Sequence, residues 1–150
     1  MTALFLALML FGSQGPQLHR YTVKPWVLTV SRDRFTGAVT CTAKARGALL
    51  EGDRLAFDLG RSVEIGEADY RLDGAPAKKL SALASDSDYR ESFHFDPNRD
   101  GRLAFFTTGD LAGVQRLHVR AADKAGVASF DLSALPKLLE AESTLGCPAK

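Results

Sequence analysis

Short segments in which apolar and polar residues alternate are the feature that most constrains the fold of this chain. The clearest covers residues 115–121, where Leu117 and Val119 occupy every second position. The alternate positions of the segment carry cationic or titratable side chains: Arg116, His118 and Arg120. A period of two is that of a β-strand with one buried face. We therefore interpret this segment as a strand with one polar side.

Other segments alternate in the same way, or are short apolar runs bounded by turn-forming residues. We interpret them as strands within residues 18–31, 38–44, 54–59, 68–73, 89–95, 103–106 and 127–132. Pro25 cannot donate a ladder hydrogen bond, so the first strand is expected to begin there or to lie at an edge. Turns recur at short spacing and no strand–helix alternation occurs. The pattern predicts a mainly β fold, an antiparallel β-sandwich or small barrel of about eight strands.

The C-terminal part changes from strand to helical spacing. Leu135, Leu138 and Leu139 repeat at helical intervals, Ser133 is a candidate N-cap, and Gly146 ends the pattern. We expect one C-terminal helix that leads to Cys147. A shorter helical turn is predicted at residues 78–84.

The N-terminal residues 1–11 form an apolar run without a charged side chain. This is the length of a signal-peptide core and too short to span a bilayer. We interpret residues 1–15 as a signal peptide cut within residues 12–18, with residues 16–150 as a single β-rich domain. The alternative is a buried N-terminal strand or helix. The first interpretation predicts a periplasmic or secreted bacterial protein with no transmembrane segment in the mature chain.

The two cysteines, Cys41 and Cys147, fit an oxidising compartment. An even, minimal count in an exported chain predicts one disulfide bond. Two unrelated buried thiols are the alternative. A bond between them would attach the C-terminal tail to an early strand.

The charge balance argues against a nucleic-acid partner. The chain carries 19 basic and 18 acidic residues, a net charge of +1. Nucleic-acid binders show a basic excess or a dense basic patch, and this sequence has neither.

The segment Asp96-Pro-Asn-Arg-Asp-Gly101 resembles the first half of a calcium-binding loop. Oxygen ligands would come from Asp96, Asn98 and Asp100, but the twelfth position is Thr107 instead of a bidentate Glu. A polar hairpin loop explains the same residues, because Asp, Pro, Asn and Gly all favour turns. No other cofactor is expected.

The polar row Arg116, His118 and Arg120 is a candidate binding surface for an acidic partner. A solvated outer face explains the same row, because antiparallel sheets commonly leave one face to water. His94 and His118 are also the best candidates for proton or metal chemistry. An enzyme site would require both histidines to converge with Asp96 or Asp100.

Some features at the two ends of the chain resemble small secreted proteobacterial proteins. They are Trp26, Cys41 and the segment Phe130-Asp-Leu-Ser133 with the helix that follows. Among named groups, the chain is similar to the invasion-associated locus B family. The resemblance implies an exported, non-enzymatic β domain and assigns no site residue.

The sequence is compatible with two functions. The first is an exported binding or accessory protein that contacts an envelope component or another protein. The second is a small hydrolase or metal-dependent enzyme with a site built from His94, His118 and Asp96 or Asp100.

The leader interpretation makes a prediction about the mature N-terminus. When the full chain is expressed in a bacterium with a general export pathway, we expect its N-terminus to lie within residues 13–19 in the envelope fraction. Edman sequencing of that fraction measures this. An intact Met1 in the cytosolic fraction would contradict the interpretation.

Overall fold

The computed structural model describes residues 15–59, 68–80, 103–120 and 126–148. These residues form ten strands in two antiparallel sheets and one C-terminal helix. The strands are β1 (Gln17–Val23), β2 (Trp26–Arg32), β3 (Val39–Ala45), β4 (Ala48–Glu51), β5 (Arg54–Asp58), β6 (Asp69–Leu72), β7 (Lys78–Lys79), β8 (Leu103–Thr107), β9 (Arg116–Arg120) and β10 (Val127–Asp131). The helix α1 spans Leu135–Thr144.

The larger sheet has six strands in the order β1-β2-β3-β4-β5-β8. Its first five strands follow the chain, because each pairs antiparallel with the next through a short turn. The smaller sheet has the order β10-β9-β6-β7. There, β9 lies between β10, its neighbour in sequence, and β6, which is distant in sequence.

One apolar core joins the inward faces of both sheets and the helix. Phe57 of β5 lies at the centre of it, fully buried. Its ring centroid is 6.0 Å from that of Phe106 in the same sheet and 4.8 Å from that of Phe130 in the other sheet. Tyr70 of β6 makes a second contact between the sheets, with its ring centroid 5.2 Å from that of Phe106. Aromatic pairs at these distances stabilise the contact between the sheets beyond the area that they bury.

A second, smaller apolar cluster lies on the other face of the larger sheet. Ala56, Leu103 and Phe105 are buried there, with Leu49 packed against them. Strands β5 and β8 therefore bury both of their faces. This is why the segment Leu103–Thr107 is a continuous apolar run instead of an alternating one.

The C-terminal helix ends in a hydrogen-bonded turn that positions Cys147. Gly146 adopts φ 76°, in the left-handed region that favours glycine. The N–H of Cys147 donates to the carbonyl of Glu142, and that of Gly146 donates to the carbonyl of Ser143. This pair of bonds is the Schellman motif. It turns the chain towards β3, where Cys147 forms a disulfide bond with Cys41 across a Cα–Cα distance of 5.8 Å.

The structure confirms the predicted fold class and the predicted disulfide bond. Two separate sheets around one core correspond to the sandwich alternative. Seven of the eight predicted strands lie among the described residues, which form ten strands, because the predicted region 18–31 contains both β1 and β2 and because β4 and β7 were not predicted. The predicted strand at residues 89–95 lies outside the described residues.

The role of Pro25 as a strand boundary is confirmed. Strand β2 begins at Trp26, directly after this proline. Pro25 lies in the turn between β1 and β2, where no ladder hydrogen bond is needed from it. The strand on its other side, β1, is the edge strand of the larger sheet.

Two local predictions were wrong. Ser133 does not cap α1, since the N-cap is Ala134 and Asp131 instead accepts the Ser133 N–H. The predicted helical turn at 78–84 is wrong at its first residues, because Lys78 and Lys79 form β7 and pair with β6; residues 81–84 lie outside the described residues.

The disulfide bond predicts a large loss of stability when it is removed. Closing a loop with a sequence separation of 106 restricts the unfolded chain by about 4 to 5 kcal/mol in the chain-entropy treatment. We expect Cys41→Ala/Cys147→Ala to lower the free energy of unfolding by about 2 to 5 kcal/mol in urea titrations. Reduced wild-type protein is the control and should resemble the variant. An unchanged unfolding midpoint would contradict the prediction.

Candidate functional site

The outward surface of the smaller sheet carries the predicted polar row. Leu117 and Val119 of β9 are buried in the core, so the alternate residues of that strand point away from it. The register places β6 and β10 residues beside them on the same side. We call this surface the cationic face. It comprises Asp69, Arg71, Lys79, Arg116, His118, Arg120, Val127, Ser129 and Asp131.

Asp69 is paired with two of the cations on this face. Its Oδ2 accepts a hydrogen bond from Nη2 of Arg120 at 2.8 Å, and its Oδ1 lies 3.2 Å from Nζ of Lys79. The hydrogen bond from Arg120, followed by that from Lys79, lowers the pKa of the Asp69 carboxyl below its usual value. Because both cations are largely exposed to solvent, these pairs position side chains more than they stabilise the fold.

Arg71 and His118 form the next row of the cationic face, directly opposite each other on β6 and β9. The Nδ1 atom of His118 is hydrogen-bonded to the hydroxyl of Ser129 on β10 at 2.8 Å. Arg71 is exposed, and none of the ion pairs or hydrogen bonds among the described residues involves its guanidinium. Arg71, His118 and Val127 line a groove of about 200 Å³. A guanidinium beside an imidazole can hold a carboxylate or a phosphate group.

The far end of the face is organised by carboxylates bonded to the backbone. Asp73 accepts the N–H groups of Gln115 and Arg116, at 3.0 and 2.8 Å. Asp131 accepts the N–H of Ser133 at 2.9 Å. Hydrogen bonds from Ser133, with a smaller effect of the Arg116 charge, lower the pKa of Asp131. These carboxylates fix the beginning of β9 and of α1.

Some of the predicted site residues lie together on this face, and others lie outside the described residues. Arg116, His118 and Arg120 lie on one outward surface, but Arg120 is engaged by Asp69. Sequence reasoning missed Arg71, whose signal is visible as a polar position in the alternating segment 68–73. The candidates His94, Asp96, Asn98 and Asp100 lie outside the described residues. Thr107 ends β8 in a turn, where its N–H and hydroxyl bond to Asp110.

No group of three or more His, Cys, Asp or Glu side chains in the described ranges is placed to hold a metal ion. Within the same ranges, no helix has the length and apolar character needed to cross a membrane.

Comparisons of the chain with protein-family models, with curated proteins and with solved structures find no significant match.

The lowered pKa of Asp69 predicts an acid-dependent contribution to stability. Its folded-state pKa lies below the unfolded value, so its contribution is present above the unfolded pKa, about 3.9, and is lost as the pH falls through the folded pKa. We expect Asp69→Asn to reduce the difference in unfolding free energy between pH 6 and pH 2.5, measured by urea titration. When Asp69→Asn is already present, adding Arg120→Gln should change that difference little. A pH difference equal to that of the wild type would contradict this.

Proposed function

We propose that this chain is an exported binding or accessory protein that holds an acidic group of an envelope component or a partner protein on its cationic face. The proposal involves no catalysis and no cofactor. The observation that carries it is Arg71, a cation with no ion-pair partner among the described residues, at the edge of an open groove. Asp69 already engages Arg120 and Lys79, so Arg71 is the residue of this groove most open to a ligand's negative charge.

The composition of the face supports an acidic ligand. Its strands carry Arg71, Lys79, Arg116 and Arg120 against Asp69 and Asp131. This is a local excess of positive charge in a chain whose net charge is only +1. Such an excess attracts anions in a manner that salt weakens.

Export is supported by the disulfide bond and by the apolar N-terminal run. Disulfide bonds persist mainly in oxidising compartments, and this one links Cys41 to Cys147. The N-terminal run has the length of a signal-peptide core. Both features favour a periplasmic or secreted location as part of the proposal.

One contact favours a second candidate, a hydrolase. The distance of 2.8 Å between His118 Nδ1 and the Ser129 hydroxyl is that of a nucleophile and its base. A triad also needs a group that orients the histidine, and the hydrogen bonds among the described residues supply no carboxylate to His118. We therefore interpret the contact as a cross-strand bond. Labelling of Ser129 by a fluorophosphonate probe, lost in His118→Ala, would support the hydrolase instead.

The binding proposal predicts which arginine is needed. We expect Arg71→Ala to weaken binding of fluorescein-labelled hexaglutamate about tenfold at low salt, because a hydrogen bond to a charged group is worth about 1.5 kcal/mol or more. Fluorescence anisotropy measures this. Inorganic phosphate and phosphatidylglycerol vesicles, used as competitors, distinguish a small anion from an anionic surface.

The matched control is Arg46→Ala, which removes the same charge from the exposed turn between β3 and β4. It should leave hexaglutamate binding within about twofold of the wild type, a difference of about 0.4 kcal/mol. Equal losses in both variants would mean that only the overall charge matters, and would contradict a site at Arg71.

A further inference from the structure

The edge strand β1 leaves one side of its backbone without a neighbour among the described strands. It pairs with β2 at every position from Gln17 to Val23, and β2 lies on one side of it only. The strand has seven residues, no proline and no interruption of its register. The side chains from Gln17 to Thr22 are all exposed. A long, regular strand edge that no described strand pairs with is a template for a further strand.

Exposed apolar side chains are concentrated beside this edge. The described residues include five large hydrophobic residues that are exposed, and four of them lie between positions 18 and 35. They are Leu18 (59% exposed), Tyr21 (38%), Val27 (42%) and Phe35 (98%). Leu18 and Tyr21 belong to β1 itself, and Phe35 lies in the turn beyond the end of the β1–β2 ladder. These side chains lie on both faces of the sheet and in the adjoining turn, so they flank the edge of β1 and favour an interaction there.

The same segment is cationic and contains no acidic residue from Gly15 to Arg32. Arg20 lies in the middle of β1, on the side of the sheet that also carries Thr29. The first carboxylate that follows is Asp33, whose Oδ1 accepts the N–H groups of Phe35 and Thr36 at 2.8 and 2.7 Å. Those bonds lower the pKa of Asp33 and keep it in its own turn. No ion pair among the described residues engages Arg20.

We propose that β1 binds an extended segment of a partner protein, with alternating acidic and apolar residues, which adds a seventh strand to the larger sheet. Main-chain hydrogen bonds to the open edge would give affinity, and the alternation of side chains would give specificity. An acidic side chain of the added strand lies beside Arg20 on one face. Its apolar neighbours lie beside Tyr21 on the other face.

Two other occupants fit the edge less well. A second copy of this chain would bring a second cationic segment to Arg20 and no carboxylate. A membrane surface needs apolar side chains that point to one side, whereas Leu18 and Val27 lie on one face of the sheet and Tyr21 lies on the other. A strand docked at the edge contacts both faces at once.

The test uses the full chain and a fluorescein-labelled, end-capped peptide, Ser-Val-Glu-Val-Glu-Val-Ser. Alternate N–H groups of a strand point to opposite edges, so two N-methylated forms of the peptide block one edge each. We expect anisotropy to show that one form loses binding at least tenfold while the other binds within twofold of the parent. Equal binding by both forms would overturn the proposal, because the backbone would then not be read.

Protein variants separate this edge from the cationic face. We expect Arg20→Ser to weaken peptide binding about two- to fivefold, the size of one cross-strand charge pair. Arg46→Ser is the matched control and should have no effect. Circular dichroism melts verify that each variant is folded. A loss with Arg71→Ala but not with Arg20→Ser would overturn the proposal and place the acidic peptide on the cationic face.

The alternative occupants are tested in the same preparation. Sedimentation of the free chain as a dimer that Arg20→Ser strengthens, by removing like-charge repulsion, would assign the edge to a second copy. If the protein binds phosphatidylglycerol vesicles but not the peptide, and Phe35→Ser abolishes vesicle binding, the exposed apolar side chains near β1 belong to a membrane-binding surface. Either result would overturn the peptide proposal, and a monomer that binds the peptide but not the vesicles supports it.

Discussion

The burial of two sheet faces in one apolar core is the constraint on which the rest of this structure depends. Phe57 contacts Phe106 in its own sheet and Phe130 in the other, so that the two sheets share one interior. Because side chains alternate along a strand, burying Leu117 and Val119 turns the residues between them outward. The cationic face therefore follows from the packing of the opposite side of the same strands.

The C-terminal turn connects local backbone geometry to the stability of the whole chain. Gly146 allows the Schellman motif, and the motif places Cys147 within bonding distance of Cys41. Two contacts fix the helix. Leu135 and Leu138 are buried in the core, and Cys147, which follows the helix, is bonded to Cys41 of β3. The left-handed conformation of Gly146 therefore helps to place Cys147 for a disulfide bond that links residues 106 positions apart.

Sequence reasoning recovered the strands whose two faces differ. In β2 and β9, one face is buried and the other is exposed, and the alternation is plain. It did not separate β1 from β2 within the predicted region 18–31, because an edge strand exposed on both faces has no reason to alternate. It also missed β4 and β7, which have four and two residues and are too short to show a period. These strands are defined by hydrogen bonds to a neighbouring strand. Their own residues do not show which segment that neighbour is.

The candidate site shows the same limit. The row Arg116, His118 and Arg120 could be predicted because it belongs to one strand. Asp69 and Arg71 reach it from β6, whose pairing with β9 joins residues about fifty positions apart. No local pattern in the sequence identifies that neighbour. The cation of this face that remains open to a ligand is Arg71, which lies outside the predicted row, whereas Arg120 of that row is paired with Asp69. Carboxylate placement is what separates the two: Asp69 engages Arg120 and Lys79, and Arg71 remains open.

On the larger sheet, Asp33 is the nearest carboxylate in sequence to the β1–β2 hairpin, but backbone N–H groups hold it. A carboxylate bonded to its own turn stabilises that turn and is poorly placed to neutralise a distant arginine. Positive charge is therefore left open on two separate surfaces of a nearly neutral chain, and overall composition conceals both.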